Sequence, residues 1–230
     1  MQQKCRIGEV TVESSQPISS WLAGVCKDAY LIQKKLFSSR PRRVRVVVAH
    51  NHPEWRSACG DYYFPVARAT VLRDGTIVLK SRRMSACSRN WYRQIIVHEM
   101  SHAFWSAALE GTREKWTPFW LLEALACRSA ENHYLLEQSA LSRKLRNPDA
   151  LPIPYRYTAK TLRVKSRRKL ALLYSYWSCF ADWISRGRQE RLYAFFEAFR
   201  RSPSRRNYEK LFRSYFGVGS AQAAARFWPL

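Results

Sequence analysis

The chain has 230 residues, of which 47% are hydrophobic, a normal share for a globular protein with a core. It carries 40 lysines and arginines against 17 aspartates and glutamates, a formal charge of +23. This excess either favours contact with polyanions such as nucleic acid or is spread over the surface without a specific partner. The most apolar run, 171–184, is too short to span a bilayer and contains Asp182, and residues 1–8 lack a signal-peptide core. We therefore expect a cytoplasmic protein with no membrane span.

The cysteines are scattered singly along the chain, with no C-x-x-C pair. This spacing indicates neither a zinc ribbon nor a redox motif, and a chain with this much core does not need disulfides. We expect six reduced thiols: Cys5, Cys26, Cys59, Cys87, Cys127 and Cys179.

Hydrophobic periodicity predicts the first elements of the chain. Residues 19–37 have apolar side chains three and four apart, which is typical of a helix, and the Ser-Ser-Arg-Pro stretch at 38–41 ends it. The β-branched run 44–49 predicts a strand. His50 and His52 follow in a His-Asn-His-Pro segment, which is either a polar loop or a pair of metal ligands.

Residues 59–80 have the character of a sheet. Two short arms, 69–73 and 76–80, flank Asp74 and Gly75, a strong signal for a tight hairpin. If one of these strands lies at a sheet edge, it can pair with an extended peptide through main-chain hydrogen bonds. The other interpretation is an ordinary structural hairpin.

A long helix is predicted after this hairpin. Ser88 and Asn90 are both suitable N-caps, and Gly111 fits the C-terminal end. Apolar residues recur throughout the segment, so we expect the helix to be largely buried. Buried histidines need polar partners, and a metal ion supplies one.

This helix carries the sharpest chemical signal, an H-E-x-x-H pattern that runs from His98 to His102. Residues four apart share one face of a helix, so the two imidazoles can bind one ion. Glu99 lies beside the first histidine, where a carboxylate can take a proton from metal-bound water.

A second predicted helix carries an isolated carboxylate. Thr117 is a suitable N-cap with Pro118 in the first turn, and Glu123 is the one carboxylate in the apolar run that follows. A buried carboxylate without a partner is costly. Two imidazoles and one carboxylate around Zn²⁺, with water in the fourth position, form a standard catalytic set. We therefore expect His98, His102 and Glu123 to bind zinc.

H-E-x-x-H followed some twenty residues later by W-L-x-E-x-L-A resembles the gluzincin metallopeptidases. The aromatic stretch from Tyr174 to Trp177 and the segments after it resemble the C-terminal helices of the M1-like, peptidase MA group. The resemblance covers roughly residues 20–230. It implies a zincin-like α+β fold, with a small N-terminal mixed sheet whose edge strand packs on the H-E-x-x-H helix, followed by a mainly helical part.

The same resemblance implies an organisation and a set of roles. Residues 1–110 would form an α/β subdomain and residues 111–230 a helical one, making a single catalytic unit with the cleft between them. Glu99 would be the general base for hydrolysis of a peptide or protein substrate. Tyr174, or next to it Tyr176, would donate to the oxyanion; the other interpretation is that both are core aromatics.

The sequence departs from the gluzincin pattern at three places. Some members have an aspartate four residues after the ligand glutamate, holding a zinc histidine, whereas this chain has Cys127 there. The frequent glycine after the ligand glutamate is Ala124. The G-x-M-E-N-type strand of the aminopeptidases is not visible, so aminopeptidase activity is not implied.

Other zinc classes fit the chain less well. The metzincin pattern requires glycine and histidine where Trp105 and Ala108 stand. Residues 98–103 also resemble the helix of SprT-type DNA–protein crosslink proteases, which take a third histidine. The one downstream candidate, His133, does not share a helical face with Glu123.

Residues 143–169 form a basic segment punctuated by prolines. Such a cluster can bind the phosphates of a nucleic acid, or it can be a solvated loop. The sequence thus predicts a zinc metallopeptidase. The alternative is a basic nucleic-acid-associated protein, either a SprT-like protease or a zinc protein without catalysis.

Overall fold

A computed structural model describes residues 3–38, 41–65, 67–109, 118–131, 167–202 and 204–227. The chain divides into two compact units. The first comprises Met1–Glu110 with Ser129–Glu131, and the second Gly111–Arg128 with Asn132–Leu230. The architecture is α+β, with a mixed sheet near the N-terminus and a mostly helical C-terminal part, which confirms the predicted fold class at this level.

The first unit contains a sheet of five strands in the order β1-β2-β3-β5-β4. The three central strands are parallel to one another, and each edge strand is antiparallel to its neighbour. The strand predicted at 44–49 and the hairpin around Asp74 and Gly75 are confirmed, the hairpin with shorter arms. The N-terminal pair of strands was not predicted. The strands are β1 (Gln3–Ile7), β2 (Val10–Ser14), β3 (Val44–Ala49), β4 (Ala69–Val71) and β5 (Ile77–Lys80).

The burial pattern follows from the alternation of side chains along the strands. In β3, Val44, Val46 and Val48 are buried and Arg45 between them is exposed. β5 is buried at all four positions, as expected for a strand paired on both sides and covered on both faces. The helices His52–Cys59 and Arg89–Ala108 both contact this strand.

The described residues of the first unit form four α-helices, and each begins at a side chain that accepts a backbone N–H. The segment predicted as a loop at His50 to Pro53 is partly helical, and that prediction was wrong for its second half. Asn51 accepts the backbone N–H of Glu54 and Pro53 lies in the first turn, so the chain enters a helix there. The helices are α1 (Ser20–Leu36), α2 (His52–Cys59), α3 (Arg82–Ser85) and α4 (Arg89–Ala108).

The second unit is helical in its described residues and has an aromatic core. Trp120 is fully buried, and its Nε1 donates to the Tyr208 hydroxyl at 3.0 Å. The rings of Phe180 and Phe212 lie edge-on to Trp120, with centroids 5.1 and 6.3 Å away. The helices are α5 (Phe119–Ser129), α6 (Arg167–Ser185), α7 (Gln189–Arg200), α8 (Arg205–Phe216) and α9 (Ser220–Phe227).

In the described ranges, no helix combines the length and apolar character needed to cross a membrane. The six cysteines all lie among the described residues and are free thiols there. Several predicted features lie outside the described residues: the caps Thr117 and Gly111, the candidate ligand His133, and the basic segment up to residue 166.

Candidate metal centre

Helix α4 carries the H-E-x-x-H pattern and begins where the sequence indicated. The hydroxyl of Ser88 accepts the backbone N–H of Trp91 at 3.2 Å, so Ser88 is the N-cap. The helix packs on α1, where the rings of Tyr30 and Phe104 meet edge-on at 5.0 Å. Half of its twenty residues are buried, which fixes its rotation and the direction of its polar side chains.

His98 is 6% exposed and His102 is half-buried on the same face of α4. Their Nε2 atoms lie 3.2 Å apart, with the ring planes at 79°. A tetrahedral zinc ion with bonds of about 2.05 Å separates two of its nitrogens by about 3.3 Å. The two imidazoles are therefore arranged as a pair that one ion can bind.

Glu123 completes the group. It is 3% exposed on α5, and its carboxylate belongs to the same cluster as the two histidines, with ligand atoms all within 4.8 Å of one another. Among the described residues this is the group of three His, Cys, Asp or Glu side chains that can hold a metal ion. The donor set of two nitrogens and one carboxylate oxygen is one of those that catalytic zinc sites use.

The proposed catalytic residues lie on the helices from which they were predicted. Glu99 is half-buried on α4, next to His98. Tyr174 is half-buried on α6, with its ring stacked on Trp177 at 5.9 Å. The roles of Glu99 as general base and of Tyr174 as oxyanion donor stay predictions.

The second tyrosine on α6, Tyr176, has a different environment. It is 4% exposed and its ring packs edge-on against Phe227 at 5.4 Å. Burial raises the pKa of its hydroxyl to about 12. A hydroxyl enclosed in an aromatic core is a poor donor to a substrate, so Tyr174 remains the better candidate.

No protein-family model matches this sequence, and no curated protein matches it significantly. The likeness to gluzincins therefore rests on the residues named above and on their arrangement.

The two histidines at positions 50 and 52 are not part of a second metal group in the described portion of the chain. The Nε2 of His50 lies 2.8 Å from the Ser14 hydroxyl, and its backbone N–H donates to Glu54 at 2.8 Å. His52 is exposed in the first turn of α2. These contacts favour the polar interpretation, a network that caps α2.

Cys127 is fully buried on α5, one turn after Glu123, in the position where some gluzincins have an aspartate. Two buried glutamines near the centre were not predicted from the sequence. Gln33 bonds the carbonyl of Val97, and Gln94 lies four residues before His98. Gln94 directly precedes the apolar pair Ile95 and Ile96, which is a weak signal, whereas Gln33 precedes Lys34 and Lys35 and has none.

Proposed function

We propose that this protein is a zinc-dependent metallopeptidase. The observation that carries the proposal is the pair of Nε2 atoms of His98 and His102 at 3.2 Å, in one cluster with the carboxylate of Glu123. Glu99 follows His98 on the same helix and is the residue that we assign as the base.

Each side chain has a defined role in this proposal. His98, His102 and Glu123 would hold Zn²⁺, which when bound lowers the pKa of its water and polarises the scissile carbonyl. The carboxylate of Glu99 accepts a proton from the attacking water and returns it to the leaving amine. The hydroxyl of Tyr174 donates a hydrogen bond to the oxygen on which negative charge develops.

The burial of the cluster supports a catalytic assignment. His98 and Glu123 are nearly excluded from solvent, so charges act there in a lower dielectric than in water. A divalent cation offsets the negative charge of the carboxylate, and the neutral imidazoles supply the lone pairs. Half-exposed His102 and Glu99 leave a side from which water and substrate can approach.

The deciding experiment replaces Glu99 with Gln, which keeps the shape of the side chain and removes the base. We expect about one zinc per chain in both proteins by metal analysis, and loss of peptide-library cleavage by a factor of at least about 10² in the variant. Glu190→Gln, an exposed change of the same kind, serves as the control. Full cleavage by Glu99→Gln would sink the assignment.

An exposed group of arginines supports a second candidate, binding of nucleic acid. Arg82, Arg83, Arg89 and Arg93 are all exposed around the start of α4. The sequence has no acidic residue between Gly75 and the H-E-x-x-H pattern. Arginine binds phosphate through paired N–H donors, so this group suits a polyanion.

Binding of single- and double-stranded DNA at several salt concentrations tests the second candidate. We expect affinity to fall steeply with salt, and the Arg89→Gln/Arg93→Gln variant to show a smaller slope. Arg42→Gln/Arg43→Gln, which changes two exposed arginines elsewhere, is the control. Cleavage that DNA stimulates would join the two functions, whereas DNA binding without cleavage would favour a non-catalytic protein.

A further inference from the structure

Two buried glutamines bind the end of the helix that carries Glu123. Gln33 on α1 is fully buried, and its Nε2 donates to the Ser129 hydroxyl at 2.9 Å and to the Val97 carbonyl at 3.1 Å. Gln94 on α4 is 5% exposed, and its Nε2 donates to the Glu131 carbonyl at 2.9 Å. Both amides thus bind the segment Ser129–Glu131, which belongs to the first unit.

The contacts of Gln33 link this segment to α4. The Val97 carbonyl immediately precedes His98, so one amide group bonds both α4 beside a predicted ligand and the last residue of α5. A single Nε2 with two N–H donors has its full donor capacity used in these two bonds. The amide therefore links a backbone carbonyl of α4 to a side-chain hydroxyl at the end of α5.

The side-chain amide of Gln33 is only partly satisfied by hydrogen bonds. Its Oε1 is buried and has no hydrogen-bond partner in the part of the chain that the structure describes. A buried acceptor in that state destabilises a fold, and this cost offsets part of what the two hydrogen bonds of Nε2 contribute. A glutamine here is therefore best explained by what its Nε2 holds.

The backbone at the second contact is strained. Glu131 has a φ of +50°, in the left-handed region that non-glycine residues rarely adopt. Such a conformation persists where surrounding contacts hold it. Gln94 supplies such a contact at the carbonyl of this residue.

Glu123 lies on the same helix as Ser129, whose hydroxyl Gln33 binds. Gln94, His98 and His102 are four residues apart and share one face of α4. Ser129 is six residues after Glu123 on the same helix, a rise of about 9 Å along a rigid rod. Fixing the end of α5 therefore limits the movement of the Glu123 carboxylate.

We infer that Gln33 and Gln94 are positioning residues that hold α5 through Ser129 and Glu131, and thereby hold the Glu123 carboxylate at His98 and His102. The part of this inference that concerns the ligand rests on the proposed metal centre. Neither glutamine is a metal ligand. Each acts through the segment Ser129–Glu131 at the end of the helix that carries Glu123.

Zinc affinity of the full chain gives the first readout, measured by competition with a chromophoric chelator. Gln33→Met and Gln94→Met each remove the donors while keeping the length of the side chain, and we expect each to weaken zinc binding about tenfold. Gln222→Met, at an exposed position on α9, should leave the affinity unchanged. The urea midpoint of each variant is measured as well, because losing the amide also removes a partner of Ser129 or Glu131, and the zinc affinities are compared under conditions in which every protein is fully folded.

Hydrogen exchange in the metal-free proteins gives a second readout that does not depend on zinc. The amides of residues 119–131 should exchange several-fold faster in both variants, with the sheet of the first unit unchanged. Unchanged zinc affinity and unchanged exchange in Gln33→Met and Gln94→Met would overturn the inference. Should Gln94→Met fail to fold, Gln33→Met decides alone.

The two readouts also separate this inference from the proposed function. If the unaltered protein bound no zinc, the metal centre and the positioning of its ligand would both be wrong. Faster exchange at 119–131 in the variants would then still show that the amides hold α5. If the unaltered protein and all variants bound zinc with equal affinity, the proposed metallopeptidase would stand. The glutamines would then have no role in positioning its ligand.

Discussion

The Nε2 atoms of His98 and His102 face each other across 3.2 Å on one side of α4. Without an ion, the two Nε2 atoms can form a hydrogen bond at this distance only when one ring donates its proton to the other. With an ion, both lone pairs are used at once and Glu123 supplies the third donor. The geometry of this pair is the basis of the first prediction.

Zinc should stabilise the folded chain, because the ion binds a site that the unfolded chain lacks. Free zinc at a thousand times its Kd adds about 4 kcal/mol to the free energy of unfolding. We expect a chelator to lower the Tm of the unaltered protein and to have little effect on His102→Ala. His52→Ala, which removes an exposed histidine, should respond to the chelator as the unaltered protein does. A chelator effect of equal size in His102→Ala would place the ion elsewhere.

The carboxylate of Glu13 should make stability depend on acidity. Arg45 donates to it from Nε and Nη2 at 2.9 and 2.6 Å, and Lys4 lies 3.3 Å away. The Arg45 hydrogen bonds hold the pKa of Glu13 below its ordinary value of 4.5. The stabilisation is therefore complete above about pH 4.5 and is lost as the pH falls through the lowered pKa.

Arg45→Met tests this assignment by urea unfolding at pH 7 and pH 3. We expect a loss of about 1–3 kcal/mol at pH 7, since a nearly buried carboxylate loses hydrogen bonds from a charged donor. The difference between the two proteins should shrink at pH 3. Arg43→Met, which changes a nearby exposed arginine, is the control. A loss in Arg45→Met that is the same at both pH values would exclude the charge of Glu13 as its cause.

The start of α4 should depend on Ser88. Its hydroxyl accepts the Trp91 N–H, one of the donors that a helix leaves without an internal partner. Ser88→Ala should lower the free energy of unfolding by about 1 kcal/mol, and Ser88→Asp should restore it because aspartate caps equally well. Thermal unfolding monitored by circular dichroism measures both. Equal losses in the two variants would mean that the cap contributes nothing.

The core of the second unit should be sensitive to one hydroxyl. Tyr208→Phe leaves the buried Nε1 of Trp120 without the acceptor that it has at 3.0 Å, which costs about 1–3 kcal/mol. Tyr215→Phe is the matched control on the same helix, because it removes a hydroxyl and keeps the ring that packs against Phe195. Urea unfolding followed by tryptophan fluorescence compares them. A loss no greater than that of Tyr215→Phe would contradict the role of the hydrogen bond.

The sequence predicted the elements whose signals are local. The β-branched run of β3, the Asp74-Gly75 turn and the cap at Ser88 each depend on neighbouring residues, and each was found where expected. The strands β1 and β2 were missed because polar residues occupy much of the edge strand and two buried positions of its partner, Glu13 and Ser14. Glu13 is buried there through Arg45, which is 32 residues away.

The candidate site shows the same division between local and distant signals. The two histidines follow from a spacing of four on one helix. Glu123 could be proposed only because an isolated carboxylate in an apolar helix needs a partner. Gln33 could not be found in this way, since its partners lie 64 and 96 residues along the chain and nothing in its own neighbourhood marks them.

The first unit is discontinuous in sequence, because Ser129–Glu131 is separated from Met1–Glu110 by a stretch of the second unit. A fragment that ends at residue 110 would therefore lack three residues of its own fold. Such a truncation would remove Ser129 and Glu131, so the buried amides of Gln33 and Gln94 would lose these hydrogen-bond acceptors. No single cut can separate the two units intact, and for this reason deletion mapping of the chain would report misfolding where it was meant to report function.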